Sequence, residues 1–162
     1  MANIAVFVAP LKAEDTSAVR QLLVAGLEER WGTYEGRFNP DIESFPSAYD
    51  GALVLVAKDS TQVIGTGTLK VLSPYRAEVV RMSVAKTRRR AGVGSLILGH
   101  LLRLAREHGA QEVLLETTST WGSAVRFYAQ HGFRKTHEHG ENSYFRSVVS
   151  GLFEVSRPQS QC

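Results

Sequence analysis

The stretch Arg88-Arg89-Arg90-Ala91-Gly92-Val93-Gly94-Ser95 carries the strongest signal in this chain. It follows the apolar run 77–84 and precedes the amphipathic segment 96–107, a pattern that predicts a strand, a loop and a helix. At the start of a helix, free backbone N–H groups and the positive end of the helix dipole favour an anion. The two glycines remove Cβ atoms that would keep a ligand away from the main chain. The stretch therefore predicts a phosphate or diphosphate site.

The composition indicates one folded domain with a localised basic region. The chain has 162 residues, of which 43% are hydrophobic and 22% charged, enough apolar side chains for one core and too few residues for two domains. The formal net charge is +3. Four arginines, at positions 81, 88, 89 and 90, crowd the strand–loop–helix junction. This clustering favours a local anionic ligand over an extended nucleic-acid surface.

Cysteine content and hydropathy predict a cytoplasmic protein. The single cysteine, Cys162, is the last residue, so an intramolecular disulfide is impossible and a catalytic thiol is disfavoured. No apolar run approaches the roughly 20 residues that span a bilayer. Residues 1–10 lack the charged segment and cleavage site of a signal peptide. We expect no membrane association.

Hydrophobic periodicity predicts an alternation of strands and helices in a single domain over residues 1–155, followed by a flexible tail over 156–162. Strands are expected over 5–9, 52–57, 63–72, 78–84, 113–116, 133–137 and 144–149, and helices beginning at Asp15 or Thr16 and spanning 95–108 and 123–131. The segment 31–50 is irregular and holds five aromatic residues. A long aromatic loop of this kind is typical of a functional surface, and part of it is compatible with a short helix.

Two motifs together resemble the GNAT acetyltransferase superfamily. Arg89-x-x-Gly92-x-Gly94 is similar to its acyl-CoA loop, and the segment Ala124–Phe133 is similar to its second signature, a short helix ending in tyrosine with Gly-Phe shortly after. The order of the upstream elements also matches, so the resemblance covers about residues 3–150. It implies an α/β fold, with a mixed, mostly antiparallel twisted sheet flanked by helices and split by a central V-shaped gap.

The resemblance also implies the co-substrate and a mechanism. Backbone amides of the loop would hold the diphosphate of acetyl-CoA, and the end of the preceding strand would pair with the pantetheine arm. An amine would attack the acyl carbonyl directly in the gap near Val84 and Glu116, and Tyr128 would protonate the departing thiolate. The residues thereby assigned to acetyl-CoA are Met82, Ser83, Val84, Arg89, Arg90, Ala91, Gly92, Val93, Gly94, Ser95 and Tyr128.

An amine acceptor is protonated at neutral pH, so the reaction needs a general base. Glu78 lies eleven positions before Arg89, the spacing at which lysine-acetylating relatives place a catalytic glutamate. Strict alternation would put Glu78 on an apolar strand face with Val80, Met82 and Val84, where burial raises the pKa of a carboxylate. The alternative is a strand-end glutamate that reaches solvent or pairs with Arg76 or Arg81.

Other readings of individual residues are weaker or stay open. The three arginines could form a solvated run, and Tyr128 could be a core tyrosine. Many relatives carry an asparagine where this chain has Trp121, and the neighbouring residues 117–120 would have to supply its polar contact.

His137 and His139 are too few to hold a metal, and we predict none. A dinucleotide fold lacks its third glycine, and a serine-hydrolase elbow is missing.

We therefore expect an N-acetyltransferase that moves an acetyl group from acetyl-CoA to a primary amine of a small molecule or peptide. The alternatives are a non-catalytic acyl-CoA sensor and a basic nucleic-acid-binding module. A homodimer is possible. The acceptor pocket is expected between the segments 31–50 and 137–144, where the acidic residues Asp41, Glu43, Asp50, Glu138 and Glu141 favour a cationic amine.

Overall fold

A computed structural model describes residues 5–149 as one mixed sheet with helices on both faces. The strands are β1 (Val6–Pro10), β2 (Leu53–Asp59), β3 (Gln62–Ser73), β4 (Arg76–Val84), β5 (Glu112–Thr118), β6 (Arg134–His139) and β7 (Asn142–Val148). The helices are α1 (Thr16–Trp31), α2 (Pro40–Glu43), α3 (Val93–Glu107) and α4 (Gly122–Gln130). The predicted domain end at residue 155 and the predicted tail over 156–162 lie outside the described residues.

The strand order is β1-β2-β3-β4-β5-β7-β6. Among the described strands only β4 and β5 pair in parallel, joined by α3 as a crossover helix, and every other neighbouring pair is antiparallel. This is the mixed, mostly antiparallel sheet that was predicted. The short helix anticipated within 31–50 is present as α2.

One face of the sheet is covered by α3, whose apolar stripe includes the fully buried residues Ile97 and Leu101. Two glycines of β3 allow this close packing. A Cβ atom at Gly67 would lie 2.5 Å from the sulfur of Met82, and one at Gly65 would lie 2.7 Å from Cδ1 of Ile97. A larger side chain at either position would force Ile97 or Met82 to repack.

The opposite face is covered by α1 and by the segment that follows it. Val19 and Leu23 of α1 form a second buried cluster with Ile42 of α2 and Val56 of β2. Asp15 precedes α1 at the N-cap position, but its side chain makes no capping hydrogen bond. Its carboxylate pairs instead with Lys58 of β2, at 2.6 Å, because both groups are almost completely buried.

The gap in the sheet arises because β4 and β5 separate. Their parallel pairing covers only Arg76 to Glu78 on β4 and Glu112 to Leu114 on β5. Both strands continue beyond these pairs, to Val84 and Thr118. The backbone groups that face each other across the diverging halves are unpaired within the sheet, which leaves room for an extended ligand.

A β-bulge in β4 corrects the predicted alternation. Arg81 has a φ of 52°, and the register with β3 shifts between Thr66 and Thr68, so that the strand carries one extra residue there. Val80 packs on the α1 side, whereas Met82 packs on the α3 side. The prediction that Glu78, Val80, Met82 and Val84 share one face is therefore wrong beyond residue 80.

Candidate active site

The arginine–glycine loop ends at the start of α3 in a conformation that exposes backbone N–H groups. The helix begins at Val93, two residues before the predicted start, so Gly92 is its N-cap residue. Gly92 has a φ of 83°, and no side chain caps the helix. The first N–H groups of a helix have no partner within it. Here they are available to a ligand.

The arginines before the helix start hold the loop in place. Arg88 pairs with the buried Asp59 of β2. Arg89 donates two hydrogen bonds to Glu29 of α1, at 2.5 and 2.6 Å, and these bonds lower the pKa of Glu29. The run is therefore not simply a solvated stretch, because two of its members fix the loop against the sheet and α1.

A cavity of about 530 Å³ lies beside this loop, and we call it the basic cavity. Its lining includes every residue assigned above to acetyl-CoA except Ala91. The charged side chains in the lining are all cationic: Arg30, Arg88, Arg89 and Arg90. The described lining contains no carboxylate. A cation-lined cavity with free backbone N–H groups suits a diphosphate.

A second cavity, of about 400 Å³, lies on the α1 side of the sheet, and we call it the mixed cavity. Its charged lining residues are Arg30, Asp41, Arg81 and Glu116. The two cavities share Gly26, Arg30, Met82, Ser83 and Tyr128. They therefore meet where β4 passes its bulge, beside the Tyr128 side chain.

Tyr128 is positioned by α4 and is only 8% exposed. Its ring packs edge-on against Phe127 and Phe133. Burial raises the pKa of Tyr128 to about 12, and the nearby Arg30 opposes the rise. The hydroxyl is thus protonated at neutral pH, and it stands where both cavities end. Tyr128 therefore packs in the core and also lines the site, so its core position does not exclude a catalytic role.

Glu78 lies at the base of the gap, at the last parallel pair of β4 and β5. Burial raises the pKa of Glu78; Lys70 on the neighbouring strand lowers it, and the charge of Glu116 raises it. Glu78 is not among the residues that line either cavity, whereas Glu116 lines the mixed cavity. The two carboxylates are electrostatically coupled across the gap.

The alternative partners suggested for Glu78 are engaged elsewhere. Arg76 pairs with Glu112 of β5. Arg81 donates two hydrogen bonds to Asp41 of α2, both 2.8 Å long. The prediction that Glu78 pairs with Arg76 or Arg81 is therefore wrong, and its carboxylate has no arginine partner among the described residues.

The Asp41–Arg81 pair also changes the expected charge of the mixed cavity. Tyr49 donates a hydrogen bond to the same carboxylate. Burial works against the ionised form of Asp41, but the hydrogen bonds from Arg81 and Tyr49 lower its pKa. Asp41 is therefore ionised yet neutralised by Arg81. Asp41 therefore adds no net negative charge to the mixed cavity, and the prediction that it favours a cationic amine loses this support.

Trp121 lines the mixed cavity. The guanidinium of Arg30 lies 4.5 Å from its ring centroid, and the ring of Trp31 meets it edge-on at 5.5 Å. The end of α1 is thereby joined to the turn before α4. The polar neighbours Thr117 and Thr118 line the mixed cavity, and none of residues 117–120 lines the basic cavity, so their replacement of the asparagine contact stays a prediction.

Residues 16–133, more than half of the chain, match the family model described as acetyltransferase (GNAT) family. The chain belongs to this family. The resemblance predicted from the two motifs is confirmed, and so is the GNAT fold class.

Curated relatives and solved structures agree with the family assignment. The rat N-acetyltransferase 8 is 29% identical over 135 residues, which cover 78% of this chain and 59% of the relative. The uncharacterised N-acetyltransferase YedL of Escherichia coli K12 is 35% identical over 77 residues, covering 46% and 48%. The chain spans about half to three-fifths of the length of these relatives.

The GNAT acetyltransferase of Staphylococcus aureus superimposes with a TM-score of 0.80 at 18% identity, covering 90% of this chain and 99% of that structure. The PaiA N-acetyltransferase of Thermoplasma acidophilum, solved in complex with coenzyme A, gives 0.76 at 17% identity, covering 89% and 99%. At these identities the likeness shows the fold.

Several site residues of this GNAT protein escaped the sequence analysis. Glu116 was noted only as a strand end, although a lone carboxylate in the apolar strand 113–118 signals a special role. Arg30 sits at the end of a helix, where a cation is ordinary and gives no signal.

The histidine pair of β6 has a structural explanation. The His137 ring stacks on Tyr144, with centroids 4.5 Å apart and planes 5° from parallel. The absence of a bound metal stays a prediction. Within residues 5–149, no helix is long and apolar enough to cross a membrane.

Proposed function

We propose that the protein transfers an acetyl group from acetyl-CoA to a primary amine by direct attack of the amine on the thioester carbonyl. The observation that carries this proposal is the meeting of the basic and mixed cavities at Tyr128, Met82 and Ser83. A donor in the basic cavity and an acceptor in the mixed cavity would react at this junction without a covalent enzyme intermediate.

The residues of the basic cavity fit coenzyme A. The N–H groups at the start of α3 and the positive helix end favour a diphosphate, and the open space at Gly92 lets phosphates approach the backbone. At residues 82–84, β4 does not pair with β5, and this edge suits the amide groups of a pantetheine arm. These features support acetyl-CoA as the donor.

The amine needs to lose a proton before it attacks. Glu116 faces the mixed cavity, and Glu78 lies behind it with a raised pKa. We assign Glu78 as the general base, with Glu116 as the group through which the proton reaches it. Burial and the charge of Glu116 raise the pKa of Glu78, so Glu78 holds a proton more readily than an isolated glutamate.

Tyr128 is assigned as the general acid. Its hydroxyl is protonated at neutral pH and lies at the junction, where the thiolate of coenzyme A would depart. Proton donation to this sulfur prevents the reverse attack of the thiolate on the new amide. The same residue would also help to position the donor, since it lines the basic cavity.

The test is a screen of amines, polyamines, amino acids and peptides for thiol release from acetyl-CoA, with acetylated products identified by mass spectrometry. We expect turnover with at least one amine class. Intact-mass analysis after incubation with acetyl-CoA alone should show no acetylated protein, since direct attack needs no acyl-enzyme.

The alternatives give different outcomes in the same experiments. Tight acetyl-CoA binding without thiol release on any acceptor would favour a sensor. Salt-sensitive binding of a nucleic-acid duplex that acetyl-CoA displaces would favour the nucleic-acid module. A homodimer and a cytoplasmic location stay predictions, to be checked by light scattering and by imaging of the tagged protein.

A further inference from the structure

Ser95 and His131 form a hydrogen-bonded pair at the basic cavity. Ser95 lies in the first turn of α3 and lines the cavity, whereas His131 follows α4 and stands behind the serine. Ser95 Oγ is 2.8 Å from Nε2 of His131. Nδ1 of the same ring is 2.6 Å from the carbonyl oxygen of Phe127. The ring of Phe127 also packs against the imidazole, with centroids 4.3 Å apart.

These contacts fix the hydrogens of the neutral pair. A carbonyl oxygen only accepts hydrogen bonds, so Nδ1 of His131 carries a hydrogen and donates it to Phe127. In a neutral imidazole, Nε2 then has no hydrogen and accepts one. The hydroxyl of Ser95 must therefore donate to Nε2. Its hydrogen is turned away from the cavity, and its lone pairs are left facing any ligand.

Protonation of the imidazole reverses the direction of this bond. When Nε2 takes up one proton from solvent, it becomes a donor to Ser95 Oγ. The hydroxyl hydrogen of Ser95 is then free to point into the cavity. A phosphate oxygen is an acceptor only, so it binds well to the protonated pair and poorly to the neutral one.

Among the described residues, no carboxylate forms a salt bridge with His131, and the carboxylates that contact the loop, Asp59 and Glu29, are held by Arg88 and Arg89. The charged and titratable groups that line the cavity beside Ser95 are Arg88, Arg89 and Arg90 of the loop, Arg30 of α1 and the hydroxyl of Tyr128. Of the loop arginines, Arg88 and Arg89 are already paired. A phosphate oxygen that accepts a hydrogen bond from Ser95 favours the imidazolium, because the hydroxyl is free to donate into the cavity only when Nε2 carries a hydrogen.

We propose that His131 is a positioning residue for the donor, acting through Ser95, and that binding of the diphosphate is coupled to uptake of one proton by the imidazole. The inference rests on the proposed function, because it takes the diphosphate of coenzyme A as the ligand of the basic cavity. It predicts that the donor binds more tightly as the pH falls toward the acidic side of neutrality.

The test is calorimetric titration with dephospho-coenzyme A, whose diphosphate keeps its charge while the phosphomonoester of coenzyme A itself titrates near pH 6. Between about pH 8 and pH 6, we expect the dissociation constant of the unmodified protein to fall roughly 3- to 10-fold. The binding enthalpy should also vary with the ionisation enthalpy of the buffer, which reports proton uptake.

Three variants locate the effect. His131→Gln and Ser95→Ala should each bind with an affinity that does not change with pH. His108→Gln is the matched control: Nδ1 of His108 lies 2.9 Å from the carbonyl oxygen of Leu104, four residues earlier, as in His131, but at the far end of α3. This variant should keep the full pH dependence. Thermal unfolding checks each fold, and Ser95→Ala carries the test if His131→Gln does not fold.

The inference is overturned if the unmodified protein binds dephospho-coenzyme A equally well across this range, or if the dependence persists in Ser95→Ala. Pantetheine, which has no phosphate, should show no pH dependence, and a dependence with it would also overturn the inference. Tight but pH-independent binding leaves the proposed function intact. Absence of binding at every pH contradicts the proposed function and the inference with it.

Discussion

The basic cavity and the mixed cavity are built in different ways. The basic cavity is formed largely by one continuous segment, with glycines, backbone N–H groups and the start of α3. The mixed cavity is lined by residues of α1, α2, the bulge of β4 and the end of β5. Two of its charged residues, Asp41 and Arg81, are far apart in the chain and form an ion pair in the folded protein.

This difference suits a donor site that is common to the family and an acceptor site that is particular to each member. A diphosphate is held by local backbone geometry, which a short motif encodes. An acceptor is held by side chains that only the folded chain brings together. If this contrast is correct, changes in one cavity should alter the kinetics of one substrate and leave those of the other unchanged, while changes at the junction should slow the reaction itself.

The largest effect is expected at the junction. Tyr128→Phe removes the hydroxyl but keeps the buried ring, so kcat should fall by about 10²- to 10³-fold, as for loss of a general acid. The dissociation constant for acetyl-CoA, measured by calorimetry, should change little. Phe133→Tyr, a neighbouring aromatic exchange outside both cavities, shows whether altered packing explains the loss. A kcat within twofold of the original in Tyr128→Phe would remove it from the mechanism.

The next effect is expected at Glu78. Its raised pKa means that the ionised, active form accumulates only as the pH rises through that value, so kcat/KM should rise with pH along an acidic limb. Glu78→Gln should lower kcat/KM at neutral pH by about 10²-fold and flatten this limb.

The same profile is measured for Glu116→Gln. Loss of the Glu116 carboxylate interrupts the proposed proton path to Glu78, so kcat/KM at neutral pH should fall. Loss of its charge also removes one cause of the raised pKa of Glu78, so the acidic limb that remains should move to lower pH. An unchanged profile in Glu78→Gln, together with a flat one in Glu116→Gln, would make Glu116 the base.

A smaller effect is expected from Gly92→Ala in the basic cavity. A side chain at a φ of 83° is strained by about 1–2 kcal/mol, which corresponds to roughly a tenfold rise in KM for acetyl-CoA if the loop shifts to relieve it. KM for the amine should stay the same. Gly51→Ala is the control, since Gly51 has a φ of 82° and open surroundings but lies outside both cavities. Equal KM changes in the two variants would contradict the loop's role.

The smallest effect is expected from Asp41→Asn in the mixed cavity. Loss of the partly exposed ion pair with Arg81 should raise KM for the amine about 3- to 5-fold and leave KM for acetyl-CoA unchanged. The lowered pKa of Asp41 means that the pair is present at neutral pH and is lost only as the pH falls through that low value.

The control for this variant is Glu43→Gln on the same helix, which breaks a pair with Arg20 outside both cavities. A rise in KM for acetyl-CoA in Asp41→Asn would show that the two cavities are not independent.

The sequence predicted the elements of the fold where hydrophobic periodicity is strong, as in α3 and the β2–β3 hairpin. The bulge of β4 was not predicted, because no neighbouring residue indicates the left-handed backbone conformation of Arg81. The side-chain faces predicted for the strand residues beyond the bulge were therefore inverted. The start of α3 was misplaced by two residues because Gly94 was taken as part of the loop rather than of the first turn.

In the candidate site, too, some residues were predicted from local sequence and others were not. The loop residues and Tyr128 were found from two short motifs, and all but Ala91 line the basic cavity. The neutralisation of Asp41 by Arg81 and the coupling of Glu78 to Glu116 join positions far apart in the chain or on separate strands. Such contacts depend on the topology of the sheet, and no spacing in the sequence reveals them.

A crystal structure with coenzyme A tests the account most directly. It should show the diphosphate on the backbone N–H groups at the start of α3 and the thiol sulfur within about 4 Å of the Tyr128 hydroxyl, a distance compatible with a hydrogen bond to sulfur. A diphosphate bound elsewhere, or a sulfur that lies away from the junction of the two cavities, would contradict the central claim.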